Sequence, residues 1–232
     1  MVKRYAILAA AVLMVFLCVP RASFAAQTVL IGKDSVALPD IKGYHLHVNG
    51  SPMFSKVREC ISICGSVNNL AAIYLSDAYD AGKTIENCME IDFLSIVDNG
   101  IEVAPGDDKS AMLERIKAGT TSEAARKNMS AGMEKCTSAQ NAHAGGIFKF
   151  KSAEFVSSLR GDNYLVSIMK IQLEKRAGKQ WKTSVSYDAT AHIILRGRLL
   201  TVDASDTQRQ KTPEAAKEIA LRLVNALNDA NK

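Results

Sequence analysis

Residues 147–203, IFKFKSAEFVSSLRGDNYLVSIMKIQLEKRAGKQWKTSVSYDATAHIILRGRLLTVD, decide the fold. They divide into β-rich runs at Ile147–Leu159, Tyr164–Glu174, Trp181–Tyr187 and His192–Val202, with turn residues at Gly161–Asp162 and Ala177–Gly178. Connections this short leave no room for a crossover helix, so neighbouring strands must run antiparallel. The expected core is therefore a β meander.

Working outward, shorter strands are expected earlier in the chain. Thr28–Ile31 and Val36–Leu38 are β-rich, and Tyr44, Leu46 and Val48 alternate with His45 and His47. Asn49–Ser51 make a turn, after which Pro52 suits the first position of a helix capped by Ser51, carrying Phe54, Val57 and Ile61 and stopped by Gly65. Leu70–Leu75 reads as a buried strand. A further strand is expected where Met89, Ile91 and Phe93 alternate with Glu90, Asp92 and Leu94, after a turn at Asp80, Gly82 and Lys83. Asp107 and Asp108 suit the positive end of a helix running through Met112, Leu113 and Ile116 to Gly119. Thr120 and Glu123 have capping-box spacing ahead of a second helix, Ser122 to about Asn141, with a thin face of Ala125, Met129, Met133 and Cys136, closed by Gly145 and Gly146. The last helix is the clearest: Thr212 as cap, Pro213 at its first position, Glu214 in its first turn, and Ile219, Leu223, Ala226 and Leu227 on one face. Strands, helices, a run of strands and a final helix indicate an α+β fold, an antiparallel β-sheet with helices packed on it in one compact domain.

The C-terminal segment carries a family resemblance. The strand GRLLTVDASD (197–206), a polar loop and the helix TPEAAKEIALRLVNALNDAN (212–231) resemble the C-terminal strand-loop-helix of the PsbP-like superfamily, the extrinsic photosystem II subunits and their exported bacterial relatives. The resemblance implies a non-catalytic binding or accessory module. The four later cysteines and the helical region from Asp107 to Asn141 are not part of that pattern, and no site residue is carried over.

The N-terminus gives an address. Lys3 and Arg4 precede an apolar run from Tyr5 to Val19, and Ser23 and Ala25 stand three and one positions before a cut ahead of Ala26. The run is about 15 residues, against roughly 20 needed to cross a bilayer, and it ends at Pro20–Arg21. A cleaved signal peptide, 1–25, and a mature domain, 26–232, are expected, placed in the periplasm or secreted. Cys18 follows Leu17, which does not fit a lipobox. Losing Lys3, Arg4 and Arg21 lowers the formal charge from +5 to +2, so the pI near 8.9 belongs largely to the precursor. The remaining basic residues are mixed with acids, and neither a nucleic-acid interface nor a later transmembrane segment is expected.

Beyond the leader stand Cys60, Cys64, Cys88 and Cys136, an even count for an oxidising compartment. Structural disulfides are the leading reading. Four cysteines allow three pairings, and Cys60–Cys64 within one regular helix is disfavoured by geometry, so both are expected to reach outward to Cys88 and Cys136 in either order. The alternative is a working C-x-x-x-C pair at Cys60 and Cys64 for Cu(I) or thiol exchange, similar in spacing to Sco-type copper chaperones, which continue with proline where this chain has Gly65.

His45 and His47 share one strand face and make a two-ligand metal candidate, with His143 or His192 as a third; a solvated face is the plainer reading. The pairs Asp107 with Asp108 and Asp203 with Asp206 read as helix caps and loop residues rather than paired catalytic carboxylates. Asn49-Gly50-Ser51 and Asn128-Met129-Ser130 are glycosylation sequons. No nucleophile elbow, P-loop, dinucleotide fingerprint, zincin motif or EF-hand occurs, so neither catalytic residue nor cofactor is assigned. The functional expectation is an exported binding or accessory protein of the cell envelope, its partner a protein or small-molecule ligand.

Overall fold

The structure, a computed structural model, describes residues 27–64, 69–80, 91–144, 147–205 and 210–232. The leader, the Gly65 stop, the Gly82–Lys83 turn, Cys88, Met89–Glu90, Gly145–Gly146 and Asp206 lie outside the described residues. A hairpin of β1 (Gln27–Ile31) and β2 (Asp34–Leu38) precedes a seven-stranded sheet. That sheet contains β3 (Tyr44–Val48), β4 (Leu70–Ser76), β5 (Phe93–Glu102), β6 (Phe148–Arg160), β7 (Tyr164–Ala177), β8 (Gln180–Leu195) and β9 (Arg198–Ser205). Its order is β3-β4-β5-β9-β8-β7-β6, antiparallel throughout. Two meanders, β3–β5 and β6–β9, thus meet along a seam where Leu94 pairs with Ala204 and Ile96 with Val202. The helices are α1 (Pro52–Ser62), the single turn α2 (Asp77–Asp80), α3 (Lys109–Thr121), α4 (Glu123–Ala144) and α5 (Pro213–Ala230). The α+β class expected from the sequence is what the structure shows.

Three expectations need correction. The break placed between Tyr187 and His192 does not exist: β8 runs unbroken to Leu195, and the turn falls at Arg196–Gly197, both at positive φ. Two such residues make the primed turn that matches strand twist, but arginine is not among the residues that advertise it. Gly119 does not end α3, which continues to Thr121. The joint with α4 is Ser122, whose extended backbone breaks the helix and whose Oγ accepts from the Ala125 amide (3.1 Å), so Ser122 rather than Thr120 is the cap. Finally, β5 starts at Phe93 and extends to Glu102, well past the alternation expected around Ile91.

The other caps form as their residue types dictate. Ser51 accepts from Phe54 (3.1 Å), Asp108 from Ala111 (3.0 Å) and Thr212 from Ala215 (3.2 Å), each satisfying an amide that has no partner inside its helix.

Strand alternation splits the sheet into two faces. On the first, α5 buries Ala216, Ile219, Ala220, Leu223, Val224 and Leu227 against Tyr74, Leu94, Ile96, Ile168, Ile193 and Val202, with Ala72, Ala189, Ala191 and Ala204 small enough to let the helix come close. The β1–β2 hairpin flanks α5 through Ile31, Val36 and Leu38. Asn231 fastens it: its side chain accepts from the Ala37 amide (2.9 Å) and donates to the Ala37 carbonyl (2.8 Å), standing in for a strand partner. The hairpin's turn residue Gly32, at φ +62°, lies against the guanidinium of buried Arg198, where a Cβ would clash. Arg198 in turn donates to Asp98 (2.8 Å) and Glu102 (3.2 Å).

Among the described residues the second face is packed by α1 and α3 at its two ends. Phe54 and Val57 of α1 pack on Ile73 and Leu75 of β4 together with Ile91. Leu113 of α3 packs on Leu165, Ile194 and Leu199 at the opposite end. α4 runs beside β6, where Asn141 accepts from the Phe148 amide (2.9 Å) and donates to its carbonyl (2.6 Å).

Candidate functional site

Between these two ends the second face is polar. Asp188, Thr190 and His192 on β8, Thr201, Asp203 and Ser205 on β9, Ser95 on β5 and Ser167 on β7 fall on this face by strand alternation, in a register that sets Thr190 opposite both Asp203 and Ser167, and Ser95 opposite Asp203. A belt of hydroxyls and carboxyls at the centre of a sheet is unusual unless something uses it, because buried polar groups lose their hydration.

The belt floors a cleft of about 270 Å³. Its walls are Cys60, Ile61 and Cys64 from the α1 end, Met133 and Gln140 from α4, and Ile91, Phe93, Ile171 and Leu173 from the sheet side. Ser186, Asp188, Thr190, Asp203 and Ser205 supply the polar floor. The walls are positioned by covalent chemistry. Cys64 is bonded to Cys136, across 72 residues of chain and a Cα–Cα distance of 4.3 Å, which ties the end of α1 to α4. One turn beyond Cys136, buried Gln140 donates to the Cys60 carbonyl at 3.4 Å and approaches Cys64 Sγ at 3.6 Å. The disulfide and this amide join the α1 and α4 walls of the cleft.

The electrostatics centre on Asp188 and Asp203. Thr190 donates to Asp203 Oδ1 at 2.9 Å, a bond that favours the ionised carboxylate, yet burial outweighs it and raises the Asp203 pKa. Asp188 on β8, two residues before Thr190, stands diagonally from Asp203 on β9. Burial first, and the neighbouring Asp203 second, push its pKa up to about 7. Asp188 Oδ1 is shut off from solvent and has no hydrogen-bond partner among the described residues; the same holds for Ser167 Oγ on the next strand. Further along β8, burial lowers the pKa of His192, whose Nδ1 lies 3.2 Å from Thr201 Oγ1.

The cysteines expected as structural bridges behave differently from a free thiol pair: Cys64 is bonded to Cys136, and Cys60 is disulfide-bonded as well. Cys88 lies outside the described residues. The histidines do not converge. His45 and His47 are on edge strand β3, and three strands separate them from His192 on β8, a gap on the order of 19 Å. His45 Nε2 instead lies 3.2 Å from Asp77 Oδ1, and the side chain of His143 is outside the described region. Among the described residues no group of three His, Cys, Asp or Glu side chains is placed to hold a metal. Asp107 and Asp108 are loop and cap residues as expected, accepting from Ala104 (2.7 Å) and Ala111 (3.0 Å). Asp203 is not a loop residue: it sits within β9 and faces the cleft, and its acidic neighbour is Asp188, 15 positions earlier. The signal that points to it is the period-two run Ser184, Ser186, Asp188, Thr190, His192, which in sequence is indistinguishable from a solvated strand face.

No helix among the described residues is long and apolar enough to cross a membrane. No protein-family model matches this chain, and no curated protein matches it.

Proposed function

We infer that this chain is an exported, disulfide-stabilised binding protein of the cell envelope whose ligand occupies the cleft over the β5–β9–β8 floor. The observation that carries the reading is the cleft itself: apolar walls around a few convergent polar groups, the usual make-up of a small-molecule site. Two further features support it. A disulfide ties the end of α1 to α4 at the cleft wall, and Asp188 Oδ1 on the polar floor has no hydrogen-bond partner among the described residues. A binding or accessory role also agrees with what the PsbP-like resemblance implies, and export with the leader and the oxidised cysteines. The thiol or copper reading has less support, because the C-x-x-x-C sulfurs are engaged in bridges that do not join each other.

The test uses the oxidised mature protein, whose N-terminus is expected at Ala26 on sequencing. Equilibrated with a small-molecule extract of the host envelope and desalted, it should retain a molecule visible by native mass spectrometry. Met133→Trp, which fills the cleft from α4, should abolish that retention with little change in melting temperature. Equal retention by the filled variant, or none by the wild type, overturns the reading.

A further inference from the structure

The lining narrows the chemistry of the ligand. The floor presents Asp188 and Asp203 with the hydroxyl-bearing residues Thr190, Ser186 and Ser205, and among the described residues neither aspartate has a cationic partner. Two carboxylates side by side in a covered site, one with an unpartnered buried oxygen, leave a deficit of positive charge and of hydrogen-bond donors. Above them the surface is hydrocarbon: Ile91, Phe93, Met133, Ile171 and Leu173. A cleft of about 270 Å³ is of the size that takes a small molecule. A divalent cation is a poorer match: calcium takes six to eight oxygens, whereas the acidic donors here are two and the walls are apolar.

Accepting the cleft as the ligand site, we propose that it binds a small organic ammonium ion, its –NH₃⁺ donating to Asp188 and Asp203 and its hydrocarbon body lying against Phe93, Met133, Ile171 and Leu173. The ammonium brings positive charge and donors to the cleft side of the two carboxylates, and the hydroxyl-bearing residues Ser186 and Ser205 border the head group. No bond to carbon is made or broken. Only protons move: binding favours the doubly ionised pair, so a carboxyl proton passes to solvent as the ammonium enters. Of the described residues lining the cleft only the two aspartates titrate, since Cys60 and Cys64 are bridged, so that release is theirs.

The experiment is isothermal titration of the oxidised mature protein at pH 8 with three seven-carbon probes: n-heptylammonium, n-heptanol and n-heptanoate. An alkylammonium remains protonated at that pH, as lysine does. The ammonium should bind roughly tenfold or more tighter than the alcohol, and the carboxylate should not bind. Asp188→Asn should reduce the preference for ammonium over alcohol to near unity, with far-UV circular dichroism and a cooperative thermal melt showing that the variant is folded. For the wild type, heats measured at pH 6 in two buffers of different ionisation enthalpy should reveal proton release, which should fade at pH 8 where Asp188 is already ionised. Equal binding of ammonium and alcohol, or a preference that survives Asp188→Asn, overturns the ammonium assignment and leaves the cleft as a neutral-ligand site. Failure of all three probes to bind overturns both readings.

Discussion

The two faces of this sheet solve the problem of being covered in different ways. On one, a helix capped by Thr212 lays six apolar side chains onto a strand surface graded from large to small. On the other, α1 and α3 grip the ends, and the middle keeps Asp188, Thr190 and Asp203 beneath a gap bridged by a disulfide. The first face removes hydrocarbon from water and gains stability. The second withdraws carboxyls from water without partnering them all, which opposes folding unless a ligand completes the site. With the cleft as the proposed ligand site, stability and recognition lie on opposite sides of one sheet, back to back on the same strands: Ala189 and Ala204 face α5 while their neighbours Asp188 and Asp203 face the cleft.

Substitutions separate the two roles. The largest effect should come from the packed face: Leu223→Ala, fully buried under α5, should lower stability by roughly 2–5 kcal/mol in urea unfolding, with ligand affinity unchanged. Removing the bridge with Cys64→Ser and Cys136→Ser together should destabilise by about 2–4 kcal/mol, a fall of roughly 4–15 °C in melting temperature. Unlike Leu223→Ala, that change should also weaken binding in the cleft, because the disulfide no longer joins its α1 and α4 walls. A change that stabilises is expected from Asp188→Asn. Burial keeps Asp188 protonated to about pH 7, whereas an unfolded aspartate ionises near pH 3.9, so the folded chain holds the extra proton between those values. Stability therefore falls as pH rises through that window, and above pH 7 the wild type carries the full penalty of the buried charge. Asp188→Asn should gain on the order of 1–3 kcal/mol at pH 8 and almost nothing at pH 4, read from denaturant midpoints at the two pH values. The smallest effects should be the caps: Ser51→Ala on α1 and Thr212→Ala on α5 should each cost about 1 kcal/mol, with only the first altering the cleft. Equal responses of binding to both cap variants would break the assignment of roles to faces.

How much of this can be read in advance follows from which interactions are local. The terminal helix is legible because cap, proline and apolar face lie within 18 residues, and the hairpins β6–β7 and β7–β8 because their turns contain glycine. The Arg196–Gly197 turn is not, since its first residue adopts positive φ without being Asn, Asp or Gly. Gly119 misleads because a helix tolerates one glycine when the next turn can form around it. The even cysteine count suggests bridges, but a partner 72 residues away is set by the path of α4, which no spacing encodes. The acidic pair is hidden for a related reason. Asp188 and Asp203 become neighbours only through the β8–β9 register, and alternation along β8 does not say whether its polar side meets water or helices.

The seam between β5 and β9 has one more consequence, which concerns time rather than energy. Each meander is built from adjacent strands, but the pairing of Leu94 with Ala204 joins segments on opposite sides of the whole β6–β8 run. Closing that distance pays loop entropy before any seam contact rewards it, so docking of the halves should be the slow step of folding. Until it occurs both β5 and β9 are open edges with matching apolar registers, and β9 of another copy complements β5 as well as the chain's own does. Two chains folding side by side can therefore exchange halves at this seam, and a domain-swapped dimer is the failure to look for when the protein is refolded at high concentration.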